Sequence, residues 1–466
     1  MVPFFPKTIS VRAIVVYLIA LVIVSLAYSS FAMSFGYIAL GCIWVIGFFT
    51  LLQLSTSSWR GIPEKRFVER VFIVALALRI VWVVFSYFYY IEATGMPFEF
   101  DSADAIGYHL DAEWLAGESF STIRQYLISV FMISDSGYPL YLIVLYKLFG
   151  PSIIIARIIK AFLSAFTCVL VYKLASRVCG ESVGRIAGLM MVFMPNLIIY
   201  CGYHLKETEM LFLEIAFLER LDHLFRSKRY RFWDILLPTL LGGSLFLFRT
   251  VLGAVAILVF AAGAILSNYS NMKRKGKRAV IIGWGILCLA VLNGGALSVE
   301  IEGYWEQRDT NVESKRTQQT ILGNRWAKYA TGSVMAPMAF VLPFASMVTV
   351  DEQYGQLEKS GGNYVRNFMG IFALLAIYEA FRRKKWRDFV MIGTFVIAYL
   401  GVISMSGYSN SERFLLPALP GLIIMWAYGI STLRQRTFRL LMPWCFVVVL
   451  MEVGWAFFKL GSRGLF

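Results

Sequence analysis

Long apolar runs separated by short polar segments dominate the chain. Runs near 11–31, 34–54, 71–91, 152–176, 183–203, 208–225, 233–249, 251–269, 279–299, 364–381, 387–406, 413–431 and 438–459 each reach or approach the roughly 20 residues that cross a bilayer. They predict an all-α polytopic membrane protein, because a helix satisfies its own backbone hydrogen bonds in lipid. Barrel strands would instead alternate in polarity over about 10 residues, and these runs do not alternate. Two shorter stretches, 136–149 and 335–350, break the pattern. The first, within "SGYPLYLIVLYKLFG", contains Pro139 and Lys147 and predicts an interfacial or re-entrant helix.

Composition excludes a soluble globular class: 58% of residues are hydrophobic, 16% are charged and the mean hydropathy is +0.66. Cys42, Cys168, Cys179, Cys201, Cys288 and Cys445 are scattered without a C-x-x-C pair, so neither a disulfide framework nor a zinc site is expected. A second apolar run follows the first almost at once, unlike a cleavable leader. The net charge of +15 sits largely in "SSWRGIPEKRFVER", "RSKRYR", "NMKRKGKR", "FRRKKWRD" and "LRQRTFR". The positive-inside rule puts these loops in the cytoplasm, with the N-terminus inside and the C-terminus outside. They are short and juxtamembrane, so they point to anionic lipid and not to nucleic acid.

This orientation places loop 92–135 outside, where Glu92, Glu99, Asp101, Asp104, Asp111, Glu113, Glu118 and Asp135 face a single basic residue, Arg124. Within it, "FDSADAIGYHLDAEWLAG" predicts a helix from about Ala103 to Gly117, with Asp101 or Ser102 at the N-cap. Asp104 then lies in the first turn, favoured by the helix dipole, and Tyr108 one turn on. An acidic amphipathic surface helix would look the same. A second external segment, "CGYHLKETEM", gathers His204, Lys206, Glu207 and Glu209. Such groups can mark the water boundary, and Lys206 could snorkel. Their density in so apolar a chain points to a polar site.

Cations recur on the same face: Arg157 and Lys160 in "PSIIIARIIKAFLSAF", Arg249 at the end of "GGSLFLFRT", and Arg413 in "RFLLPALPGLIIMWAYG". Each also suits an interfacial anchor. Carboxylates and cations together supply a base for an attacking group and positive charge for a developing phosphate. An enzyme working outside needs its activated group delivered in the membrane, as a polyprenyl phosphate sugar would be.

The stretches "DAIGYHLDAEWLAG", "GYPLYLIVLYKLFGPSIIIARIIKAFLSAFTCVLVYKLASRVCG", "VGRIAGLMMVFMPNLIIYCGYHLKETEMLFLEIAFL" and "SERFLLPALPGLIIMWAYGI" resemble the GT-C superfamily of integral-membrane glycosyltransferases. The nearer resemblance is to the branch of protein O-mannosyltransferases and the lipid A aminoarabinose transferase, over roughly 70–225 plus the late motif near 413. It implies an inverting transfer from a polyprenyl-phosphate sugar to an external lipid, glycan or protein acceptor. In that pattern an aspartate in the first external loop is the general base, with Tyr four residues on and a small residue eight on. Asp104, Tyr108 and Ala112 meet it, with Asp101 in reserve. Glu207 takes the second-loop acidic position, with His204 and Lys206 beside it, and Arg413 the late arginine near donor phosphate. Arg157, Lys160, Arg249 and Lys206 are further phosphate candidates; Tyr108, His109 and His204 are substrate-binding candidates.

The sequence departs from the pattern in its first two helices and in "KE" where the family often has aspartate. No cofactor is expected, although a divalent metal shared by Asp104 and Glu207 is chemically allowed. The expected organisation is a two-helix extension with a cytoplasmic loop (1–70), a catalytic module (71–299) with external loops 92–151 and 203–208, an external segment (300–363) and C-terminal helices (364–466). The expected location is a bacterial plasma membrane with the site on its external face. Two other readings remain: a transporter or flippase of a lipid-linked saccharide, which would favour midplane charges and repeats, and a glycan polymerase or ligase. Segment 300–363 reads equally as a lid or a plain loop.

Overall fold

In the computed structural model, residues 5–100, 102–130, 135–228, 231–268, 338–350, 353–404, 411–434, 438–461 and 465 are described. The helices are α1 (Lys7–Ala27), α2 (Phe35–Ser58), α3 (Glu64–Thr94), α4 (Ala103–Ala116), α5 (Phe120–Val130), α6 (Gly137–Phe149), α7 (Ile153–Cys179), α8 (Glu181–Phe193) and α9 (Pro195–Ile199). They continue with α10 (Glu207–Arg226), α11 (Phe232–Phe248), α12 (Thr250–Leu266), α13 (Tyr354–Glu358), α14 (Ser360–Arg382), α15 (Val390–Ser404), α16 (Glu412–Leu415), α17 (Leu419–Ser431) and α18 (Leu441–Gly461). The protein is all-helical among the described residues, with one isolated bridge between Ala32 and Val348.

Seven segments are long and apolar enough to cross a membrane: α1, α2, α3, α7, α14, α18 and the continuous run Glu412–Ser431. The protein is therefore membrane-embedded. The expected span at 183–203 is two pieces, Glu181–Phe193 and Pro195–Gly202, bent by 53°, which together are long and apolar enough for one broken span or a re-entrant loop. Helix α10 covers the expected span 208–225, but Glu209, Glu214, Glu219 and Arg220 make it too polar for the same class. Helices α11 and α12 have 17 residues each and α15 has 15. At about 1.5 Å per residue these are shorter than the roughly 30 Å hydrocarbon layer. The expected span 279–299 lies outside the described residues. Stretch 136–149 forms the 13-residue α6, and 338–350 is a turn followed by largely non-helical backbone. Neither is a candidate span.

Helix α7 packs against α3, α8 and α10, while α14 packs on α17 and α2, and α18 on α1. The N-terminal turn of α14 lies close to α2, since a Cβ on Gly361 would lie 2.9 Å from the Gly41 carbonyl oxygen. Arg177 pairs with Glu219 and Asp222 at one end, where Arg185 also donates to the carbonyls of Trp59 and Ile62. The opposite end gathers the C-terminus of α3 and the N-termini of α7, α10, α14 and α16, and it holds the acidic cluster.

One buried charge sets the bend that places this cluster. Pro195 lacks an N–H, so the Met191 carbonyl four residues earlier has no helical donor. Arg79, fully buried in α3, supplies it: Nη2 donates to Met191 O at 3.0 Å and Nη1 to Val192 O at 3.3 Å. Its Nε donates to Ser164 Oγ at 2.7 Å. The bend turns the chain into the short 3-10 turn Tyr200–Gly202 and delivers residues 203–206 to the acidic end. We expect Arg79→Leu, which strands two buried carbonyls, to cost about 3 kcal/mol. A thermal unfolding midpoint in detergent equal to wild type would contradict this role.

Candidate functional site

Helix α4 begins at Ala103 and ends before Gly117, as the sequence pattern predicts. Ser102 occupies the N-cap but its side chain makes no capping bond, and Asp101 lies outside the described residues. Asp104, in the first turn, instead accepts a hydrogen bond from Arg413 Nη1. Arg413 Nε donates to Glu207 Oε1, and Arg249 Nη2 lies 3.8 Å from the same carboxylate oxygen. Arg249 itself stacks over the Phe414 ring at 4.3 Å and donates to Tyr399 Oη at 2.8 Å. A guanidinium thus sits between two carboxylates from α4 and α10. The two differ sharply in solvation: the Asp104 side chain is 57% exposed and that of Glu207 is 0% exposed. Burial alone would raise the Glu207 carboxyl, but Arg413, Arg249 and Lys206 hold it below the usual range, so it is ionised at neutral pH.

A second layer adjoins this one. Lys206 pairs with Asp135, whose carboxylate also accepts from Tyr108 Oη at 3.2 Å. Burial lowers the Lys206 ammonium, with Asp135 opposing that shift. Lys206 therefore does not snorkel into water; it is 7% exposed and locked to the loop before α6.

Asp104 and Arg413 form one wall of a cavity of about 310 Å3 that runs to Phe344 and Trp455. Its other polar wall was not legible as a site in the sequence. There Glu412 accepts from Asn196, Asn196 Nδ2 donates to Asn363 Oδ1 at 3.0 Å, and Lys359 Nζ lies 3.6 Å from Glu412. Lys359 also lies over the Tyr203 ring at 5.4 Å. The only available hints were the acidic neighbour of Arg413 in "SERFLL" and the asparagine after Pro195. Beneath this wall Glu358 accepts from Tyr90 Oη at 2.6 Å and from Tyr203 Oη at 2.9 Å.

Four expected site residues lie elsewhere. Arg157 is fully buried, pairs with Glu99 at 3.4 Å and is not among the cavity-lining residues. Lys160 donates to the carbonyls of Tyr203 and Leu205 at 2.8 and 2.5 Å, which fixes the loop before α10. Both are buried on α7, where Lys160 holds backbone carbonyls and Arg157 holds the Glu99 carboxylate. His109 and His204 also lie outside the cavity lining: His109 Nδ1 is 2.7 Å from Tyr146 Oη, which is 3.2 Å from His204 Nε2. Burial lowers both imidazole pKa values, and Lys160 and Arg157 push His204 further down. Glu99 lines the cavity and accepts from the His204 backbone N–H at 3.1 Å. No cluster of three or more metal-ligating side chains occurs among the described residues, and Asp104 and Glu207 converge on Arg413.

Glu358 provides a pH test of this packing. Burial raises its carboxyl from 4.5 to about 7, against the tyrosine hydrogen bonds and Lys359. Folded Glu358 keeps a proton that the unfolded chain releases above 4.5, so its contribution favours folding at low pH and is lost as pH rises to about 7. We expect Glu358→Gln to flatten the fall in thermal stability across this window; an unchanged slope would contradict the assignment.

No protein-family model, curated protein or solved structure matches the chain.

Proposed function

We propose that the protein is a membrane glycosyltransferase that moves a sugar from a polyprenyl-phosphate donor to an acceptor on the external face of a bacterial plasma membrane. The observation that supports this best is the meeting of Asp104, Arg413, Glu207 and Arg249, of which Asp104 and Arg413 line a cavity. That cavity joins charged groups to apolar Phe344 and Trp455. A sugar with a phosphate and a lipid tail needs this combination of cation, carboxylate and aromatic surface. The helix ends that carry the cluster also lie opposite those leading into "RSKRYR" and "FRRKKWRD", which the positive-inside rule assigns to the cytoplasm.

In the reaction, Asp104 takes the proton of an acceptor hydroxyl as its oxygen attacks the sugar's anomeric carbon. The bond from that carbon to the phosphate oxygen breaks, and polyprenyl phosphate leaves with the electron pair. Attack opposite the leaving group inverts the anomeric centre. Arg413 stabilises the charge that returns to the phosphate, with Arg249 behind it. Glu207 keeps Arg413 oriented, and Lys206 with Asp135 fixes the adjoining wall. Lipid, glycan and protein hydroxyls all satisfy this chemistry, as does the end of a growing glycan in a polymerase.

A flippase of the same lipid-linked sugar is favoured by one observation: both Glu214 carboxyl oxygens are buried in α10 without a hydrogen-bond partner among the described residues. Buried ionisable groups within a membrane protein are default functional candidates. The readings separate in proteoliposomes. We expect Asp104→Asn to lower sugar transfer by about 10³-fold, the scale of a lost general base. Arg413→Ala should weaken binding of undecaprenyl phosphate. Mass spectrometry of the glycolipids and glycoproteins of a deletion strain should show the loss of one modification. An unaltered envelope would overturn the enzyme reading, whereas full transfer by Asp104→Asn would remove Asp104 as its base.

A further inference from the structure

The base proposed above is occupied. Asp104 Oδ2 is taken by Arg413 Nη1 and cannot meet an acceptor hydroxyl while that contact holds. Nor can a phosphate take the cavity side of Arg413 while Asp104 is there. Both residues line the cavity, whereas Glu207 is not among its lining residues. Arg413 Nε is committed to Glu207, which is buried and lies within reach of Arg249. Asp104 meets Nη1, on the edge of the guanidinium that a phosphate accepts from in bidentate fashion.

The two contacts therefore differ in how readily they break. Releasing Glu207 would strand a fully buried carboxylate, which is costly. Releasing Asp104 returns a 57% exposed side chain in the first turn of a surface helix to water. Pairs of that kind are worth about 1 kcal/mol or less. Exchange of one anion for another also leaves the charge around Arg413 nearly unchanged.

We infer that the Asp104–Arg413 ion pair is a latch opened by the phosphate of a lipid-linked donor. The phosphate replaces the Asp104 carboxylate on the outer edge of Arg413, while Glu207 holds the guanidinium from behind. Asp104 is released toward the acceptor only once the donor is in place. The device enforces binding order, donor before acceptor, and keeps the base inactive in an empty site. It rests on the reading of Arg413 as the group that meets donor phosphate.

The test uses the full chain in phosphatidylcholine nanodiscs, with undecaprenyl phosphate, undecaprenol and inorganic phosphate as separate probes. Removing the competing carboxylate in Asp104→Asn and Asp104→Ser should tighten undecaprenyl phosphate about fivefold, the fold-change of a pair worth about 1 kcal/mol. Undecaprenol binding should stay the same. A matching gain with inorganic phosphate would show that the phosphate alone opens the latch. A gain confined to the lipid probe would show that the tail must seat it first; both results support the exchange. Unchanged or weaker undecaprenyl phosphate binding in both variants would overturn the latch. If Arg413→Ala also binds undecaprenyl phosphate like wild type, the phosphate role of Arg413 fails with it. If Arg413→Ala loses binding, the phosphate role stands and only the latch is lost.

Discussion

The site depends on one guanidinium held from two sides. Arg413 ties α16 to Glu207 at the start of α10 and to Asp104 at the start of α4. These residues are far apart in the chain; Asp104 and Arg413 are separated by 309 positions. In an apolar interior a charge must find a partner or stay at the water boundary. The acidic helix starts and the late arginine meet there, where burial strengthens the pair on one side and water weakens it on the other. This asymmetry gives a site that is fixed at its back and adjustable at its front.

The framework behind it follows the same economy. Arg79 satisfies the carbonyls freed by Pro195, and the resulting bend brings residues 200–206 beneath the cavity. Lys160 then holds two of that loop's carbonyls, and Arg157 holds Glu99, which in turn accepts from the His204 backbone. Buried Arg79 and Lys160 thus shape backbone, while Arg413 and Lys359 line the cavity.

Much of this was legible in the chain. The apolar runs identified a helical membrane protein, and the N-cap signals placed the start of α4 correctly at Ala103. Charge clustering selected Asp104, Tyr108, Lys206, Glu207, Arg249 and Arg413, which do meet in space. Span counting was less secure, because an apolar run does not reveal where a proline will split it or how much of it stays helical. The run at 183–203, split at Pro195 and bent by 53°, shows this. The partners of Arg157 and Lys160, Glu99 and two loop carbonyls, were not legible for a related reason. A cation one turn inside a helix end has the same sequence signature whether it faces a ligand or a neighbouring backbone. The Asn363, Lys359 and Glu412 wall depended on long-range contacts such as that of Asn196 with Glu412, 216 positions apart, which no local pattern encodes.

The most direct measurement is a cryo-electron microscopy structure of the full chain in nanodiscs with undecaprenyl phosphate bound. The account predicts phosphate density on the outer edge of Arg413, the tail running past Phe344 and Trp455, Glu207 still paired with Arg413, and Asp104 turned away. Phosphate seated away from Arg413, with the Asp104 pair intact, would contradict it.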